Sequence, residues 1–157
     1  MIRKAMTAAT IAVSIVMMGA GSASANPDGP AANLHDMAAC SNWYNSKFKF
    51  HIWYNSGQSG SYRNIGYSVY DFNALRPGDG AAYPLRFCTK NGASAPWPGS
   101  GLKIKNNAAS GENSHYKYMA EVCFNSGYKG VRDKMAPYQH ISQFRYVYNE
   151  NASFRWV

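Results

Sequence analysis

Charge is what this sequence has least of. Only 15% of its 157 residues are Asp, Glu, Lys or Arg, and acids are the scarcer half, 8 against 16 basic residues. No block of like charge occurs, which argues against a disordered polyelectrolyte, and 15% aromatic residues supply the apolar area that offsets ordering entropy. Sustained heptads are missing as well, which excludes a coiled coil. After residue 25 no apolar run approaches the roughly 20 residues that a membrane span needs. The 3 cysteines form neither a Cys-x-x-Cys nor a Cys/His comb, so a structural zinc site is not expected. What remains is 14 Gly, 7 Pro and repeated Asn-Ser pairs, the composition of a turn-dense, all-β chain.

The N-terminus reads as a secretion signal over residues 1–25. Met1-Ile2-Arg3-Lys4 is a positive leader, residues 5–20 are uncharged and mostly apolar, and Ala23-Ser24-Ala25 is a small-residue cleavage site. A secreted, extracellular, monomeric single domain over 26–157 is the expectation. Removing Arg3 and Lys4 takes the net charge from +8 to +6. The remaining cations are dispersed along the chain, so attraction to anionic polymers would be weak and no specific nucleic-acid partner is expected.

An oxidising compartment predicts one disulfide among Cys40, Cys88 and Cys123. Three pairings are possible. Cys123 sits in the apolar stretch Glu121-Val122-Cys123-Phe124, where a buried thiol behaves as a small hydrophobe, and this favours Cys40–Cys88.

The chain repeats itself. Residues 52–60, ending Trp53-Tyr54-Asn55-Ser56-Gly57-Gln58-Ser59-Gly60, align without gaps onto residues 122–130, ending Cys123-Phe124-Asn125-Ser126-Gly127-Tyr128-Lys129-Gly130. Downstream, Lys105-Asn106-Asn107-Ala108-Ala109-Ser110 pairs with Tyr148-Asn149-Glu150-Asn151-Ala152-Ser153. The same order in both halves indicates two structural repeats, about 48–112 and 116–157. Each opens on a strand that ends in a hairpin, because Asn-Ser-Gly supplies turn chemistry. Further strands are expected at 67–72, 83–88, 101–104, 116–124, 141–148 and 153–157, and one short helix at 33–39. By alternation, Trp53 is expected in the core and Tyr54 on the opposite side. The first repeat carries a long Pro- and Gly-rich insertion between Leu75 and Gly101, with Trp97 between two prolines. Insertions of that length in compact β domains are usually functional when ordered.

Two Greek-key-like repeats opened by an aromatic, a turn and Gly resemble the βγ-crystallin fold, and the sequence is similar to the secreted bacterial peptidase (metalloproteinase) inhibitors that share it. The residues that carry the likeness are 53–60, 124–130 and the two Asn-rich stretches ending at Ser110 and Ser153. What the resemblance implies is a βγ-crystallin-like sandwich of two Greek keys with a long loop inserted in the first, and a peptidase inhibitor acting through an exposed loop. The loop residues proposed to contact a secreted protease are Arg86, Phe87, Cys88, Thr89, Lys90 and Trp97. Crystallin-like domains often bind calcium, and the corresponding residues here would be Asn106, Asn107, Ser110, Asn149, Glu150 and Ser153. Only Glu150 among them brings a full charge, whereas calcium takes six to eight oxygens. A backbone corner held by Asn and Ser side chains is the favoured use of these residues, and no cofactor is expected.

An enzyme finds little support. There is no His-Glu-x-x-His, and Gly92-Ala93-Ser94-Ala95 fails the nucleophile-elbow pattern. The acidic residues include no pair that the sequence singles out. The alternative to inhibition is a carbohydrate or cell-wall-binding module, or a calcium-binding one. Trp43, Trp53, Trp97 and Trp156 lined up on one surface would favour sugar, and a single projecting Trp97 loop would favour inhibition.

Overall fold

β1 (Phe50–Asn55) is buried on both sides: in the computed structural model Phe50, His51, Ile52 and Trp53 are all buried. The structure describes residues 29–92 and 94–157; the expected secretion signal lies outside the described residues. β1 folds back onto β2 (Ser59–Ile65) with Phe50 opposite Ile65 and Trp53 opposite Tyr62. β3 (Ser110–Asn113) lies on the other edge of β1, with Ser110 opposite Trp53.

The second half reproduces this arrangement. β4 (Ala120–Asn125) pairs with β5 (Lys129–Met135), Ala120 opposite Met135 and Cys123 opposite Arg132, and the register shifts after Cys123 as it does after Trp53. After the short β6 (His140–Ile141), β7 (Ser153–Trp156) returns to β4 with Ser153 opposite Cys123. Each half also lends a piece to the other sheet. β6 pairs with β3, giving a sheet of order β2-β1-β3-β6, and Val69 bridges to Phe154 beside the sheet β5-β4-β7. That crossing closes two Greek keys into one sandwich.

Between the sheets Phe50 stacks on Phe154 with ring centroids 4.1 Å apart, and Ile52, Ile65, Val122 and Met135 fill the same layer. The inserted segment adds Leu85 and Phe87 to this core, and Ile104 joins them just after it. A second layer covers the outer face of the first sheet. Residues 29–48 run across it as a short helix α1 (Ala32–His35) and two 3-10 turns (Met37–Ala39 and Trp43–Asn45), where the sequence predicted one helix over 33–39. Buried polar side chains pin this layer down. The Arg63 guanidinium donates to the carbonyls of Asn33, Leu34 and Arg86, and the Asn64 amide donates to those of Ala38 and Ser41. The Cys40–Cys88 disulfide, Cα atoms 5.6 Å apart, ties the layer to the insertion, and Cys123 is a buried free thiol on β4.

Trp53 is buried as expected, 2% exposed, with Tyr54 on the opposite side. The burial is under the N-terminal layer, where His51 and Trp53 pack, whereas Phe50, Ile52 and Tyr54 face the core between the sheets. One expectation needs correction. The strands expected at 67–72, 83–88 and 101–104 are reduced to isolated bridges at Val69, Tyr83, Arg86 and Lys103, and 141–148 keeps only Ile141 in a strand. The Gly- and Pro-rich surroundings supply single bridges rather than ladders.

Candidate functional site: an aromatic groove

The hairpin register places Trp53 and Tyr62 side by side on one sheet face, their ring centroids 6.1 Å apart. Trp43, on the 3-10 turn of the covering layer, packs edge-on to Trp53 at 5.9 Å. Trp97 comes in from the insertion, 6.4 Å from Tyr62. The four rings, with Asn42, Gln58, Ser59 and Pro98, line a groove of about 470 Å³. Trp53 is 2% exposed and forms the floor, whereas Trp97 is 39% exposed and forms a wall.

The insertion is held in place rather than projecting. Cys88 N donates to Tyr62 O, Ser61 N to Pro98 O, and Trp97 N to Lys90 O, so the segment runs along β2 and turns back on itself. At the return, Gly99 has φ +83°, and a Cβ there would lie 2.2 Å from the Tyr54 ring, so the close approach requires glycine. The Lys90 ammonium donates to Cys40 O at 2.6 Å and lies 5.3 Å from the Tyr62 ring centroid. Turn glycines Gly57 and Gly127, both at positive φ, shape the two hairpin ends, and the residue after each, Gln58 and Tyr128, is left-handed too. Gln58 is among the residues that line the groove, and its side-chain amide donates to Ile141 O on β6.

Behind the floor, the His51 ring packs edge-on against Trp43 and Trp53. Burial drives its pKa down to about 4, against a smaller opposing effect of the Asn64 hydrogen bond. Asn64 spends its amide hydrogens on two carbonyls, so its oxygen faces His51 Nδ1 at 2.8 Å and that nitrogen carries the proton. The groove floor is neutral. Among the described residues no carboxylate lines the groove, so its chemistry is that of ring faces, amides and the hydroxyls of Ser59 and Tyr62.

The residues expected in the protease-contact loop are dispersed. Phe87 is core and Cys88 is buried in the disulfide, 1% and 2% exposed, so both side chains are turned away from solvent. A β-bridge at Arg86 turns Phe87 inward. Arg86 and Thr89 are exposed, Lys90 is half-buried, and Trp97 is brought to the groove.

The calcium candidates hold the two corners of the sandwich. Asn106 and Asn149 are left-handed, with φ 61° and 54°. Asn106 N donates to Asn151 O and Asn149 N to Ala108 O, so the two loops clasp each other. Asn107 donates to Lys103 O and Lys105 O. Ser110 and Ser153 lock the hairpins. Glu150 lines a recess with Lys105, whose ammonium is bonded to Asp71 at 3.0 Å and to Ser126. The Ser110 and Ser153 hydroxyls committed to the hairpins, and an ammonium in the same recess as Glu150, count against a calcium cage at these corners. Among the described residues no three His, Cys, Asp or Glu side chains gather as metal ligands.

Of the four tryptophans expected to line up on a sugar-binding surface, Trp43, Trp53 and Trp97 meet here and Trp156 does not, while Tyr62 and Gln58 were not among the expected site residues. Pairing β1 with β2 outward from the Asn55-Ser56-Gly57 turn would have placed Tyr62 beside Trp53. Nothing in the sequence placed the covering layer that delivers Trp43.

The topology defines a βγ-crystallin-type domain, two Greek keys with exchanged strands. No protein-family model and no curated protein matches the chain. Among solved structures, one described under the evolution of the eye lens βγ-crystallin domain fold is 10% identical, covers 71% of this chain and 86% of its own, and has a TM-score of 0.46. The N-terminal domain of protein S is 13% identical, covers 69% of this chain and 94% of its own, and has a TM-score of 0.45.

Proposed function

We propose that this chain is a secreted, monomeric binding module without chemistry of its own, whose aromatic groove receives a sugar ring of an extracellular or cell-wall polysaccharide. The observation that supports this reading is the convergence of Trp43, Trp53, Tyr62 and Trp97 on one groove. A pyranose offers an apolar face of C–H bonds to such rings and hydroxyls to amides like those of Asn42 and Gln58. Secretion is in keeping with the disulfide and with the absence, among the described residues, of a helix long and apolar enough to cross a membrane. The test is retention on a panel of insoluble polysaccharides and cell walls, followed by titration calorimetry with oligosaccharides of any that retain the protein. Failure to bind every member of the panel refutes the reading.

A second reading is inhibition of a secreted peptidase by the insertion. In its favour, the segment is held by the disulfide at Cys88 and by the Ser61–Pro98 hydrogen bond, so little freedom would be lost on docking. Arg86, Thr89 and Trp97 are the side chains it would present. Inhibition of a metallo-, serine or cysteine peptidase, without retention on any polysaccharide, would rank this reading first.

A further inference from the structure

The two halves share a backbone plan and differ in what their outer sheet faces carry. On β1 and β2 the outward positions are His51, Trp53, Tyr62 and Asn64, neutral and covered by residues 29–48. The matching positions on β4 and β5 are Glu121, Cys123, Arg132 and Lys134, and β7 adds Arg155. Lys134 and Arg155 are the direct cross-strand partners of Glu121, and Arg132 lies two pairs further along on the same face.

All three cations converge on one carboxylate. Glu121 lies 3.1 Å from Arg132, 3.0 Å from Lys134 and 2.7 Å from Arg155. It is 3% exposed, while the three cations remain partly open to solvent. One negative charge against three positive ones leaves a local excess of two. The Arg155 guanidinium also lies 5.9 Å from the Tyr128 ring, and Tyr128 meets Tyr70 edge-on at 5.6 Å. Tyr70 is 65% exposed. These two tyrosines, with Val69, Leu75 and Arg76, line a recess of about 300 Å³. Asp71 in the same recess is already paired with Lys105.

We infer that this face binds single-stranded nucleic acid without regard to sequence. Cations that track a phosphate backbone beside aromatic rings that accept bases are the recurring means of such binding. Charge complementarity selects a polyanion, and the exposed Tyr70 ring beside half-buried Tyr128 selects one that carries flat, unpaired bases. Sulfated polysaccharide would meet the cations with its sulfates but carries no flat π ring to stack on Tyr70, the preferred contact at such sites. Duplex DNA would offer phosphates with its bases already stacked. The inference is independent of the sugar groove on the other sheet.

The experiment is fluorescence anisotropy of the whole chain with a labelled oligothymidylate of about a dozen nucleotides, repeated across salt concentrations from about 50 mM upward. The expected result is binding whose logarithm falls linearly with log salt. Lys134→Gln leaves Glu121 its two arginines, so the fold is kept, and should lower the slope by about 0.7, one phosphate contact. Tyr70→Ala should weaken binding several-fold with the slope unchanged. No binding at about 50 mM salt would overturn the proposal. So would duplex bound as tightly as single strand, or heparin bound more tightly than the oligonucleotide with Tyr70→Ala without effect.

Discussion

Ser110 and Ser153 make the same two hydrogen bonds in the two halves of the molecule. Ser110 Oγ donates to Asn55 O at 2.6 Å and accepts from Gln58 N at 3.2 Å; Ser153 Oγ donates to Asn125 O at 2.7 Å and accepts from Tyr128 N at 3.1 Å. Each hydroxyl fastens the last strand of its repeat to both sides of the opening hairpin, and both serines are fully buried. Ser110→Ala and Ser153→Ala should each cost about 1–2 kcal/mol, the range for stranding a partly buried donor and acceptor. Melting temperatures of the two variants check this. Ser110→Ala should also weaken any ligand of the groove, because Gln58 lines it, whereas Ser153→Ala should not.

The same commitments bear on calcium. With both serine hydroxyls spent on hairpins and the Lys105 ammonium held in the recess beside Glu150, millimolar calcium should leave the melting temperature unchanged. A native-state ligand present at a hundredfold excess over its Kd would add about 2.7 kcal/mol, a shift easily seen in a thermal scan.

Cys40 and Cys88 are 48 residues apart in sequence. Closing a loop of that length stabilises a fold by about 4 kcal/mol on the chain-entropy estimate. Cys40→Ser with Cys88→Ser should therefore lower stability by up to that amount, read as the denaturant midpoint. The loss should be uneven. Hydrogen exchange should rise first in residues 29–48, which the bond ties to the insertion, and last in β4 and β5.

His51 makes stability depend on pH. Burial lowers its pKa from 6.5 to about 4, so the folded chain keeps it neutral while the unfolded chain takes up a proton. Its contribution is full above about pH 6.5 and is lost as pH falls toward 4, up to about 3 kcal/mol. Urea midpoints at neutral pH and near pH 4.5 should differ, and His51→Gln should flatten the difference. Glu121 acts lower on the scale: burial would raise its pKa, but the hydrogen bonds from Arg155, Lys134 and Arg132 outweigh that and hold it below the usual carboxylate range. Its share of stability is lost only at more acid pH.

The duplication was legible because turns are local. Asn55-Ser56-Gly57 and Asn125-Ser126-Gly127 announce two hairpins in matching register, and Ser110 and Ser153 mark the strands that return to them. The disulfide was legible from the apolar setting of Cys123. The facing of Trp53 was not, since a strand buried on both sides loses the contrast between its faces, and the second layer depends on contacts from residues 29–48 far away in sequence. Phe87 and Cys88 were misplaced for a related reason. The insertion reads as a surface loop by composition, and only the bridge between Arg86 and Lys103 reveals that it returns to the core.

The four tryptophans provide the sharpest test of the groove. Trp43, Trp53 and Trp97 line it, while Trp156 sits elsewhere, its ring against Phe154 and His115 and its indole N–H on Gly66 O. Trp97 is the variant of choice, being exposed and outside the central core, so its loss should leave the fold intact. Trp97→Ala should weaken polysaccharide binding about tenfold, equivalent to about 1.4 kcal/mol. Conversion of Trp156 to Phe should leave binding unchanged. Titration of both variants against the retained oligosaccharide, with intrinsic fluorescence followed in parallel, separates the surfaces. Quenching that survives Trp97→Ala undiminished, with affinity unaltered, would place the ligand away from the groove.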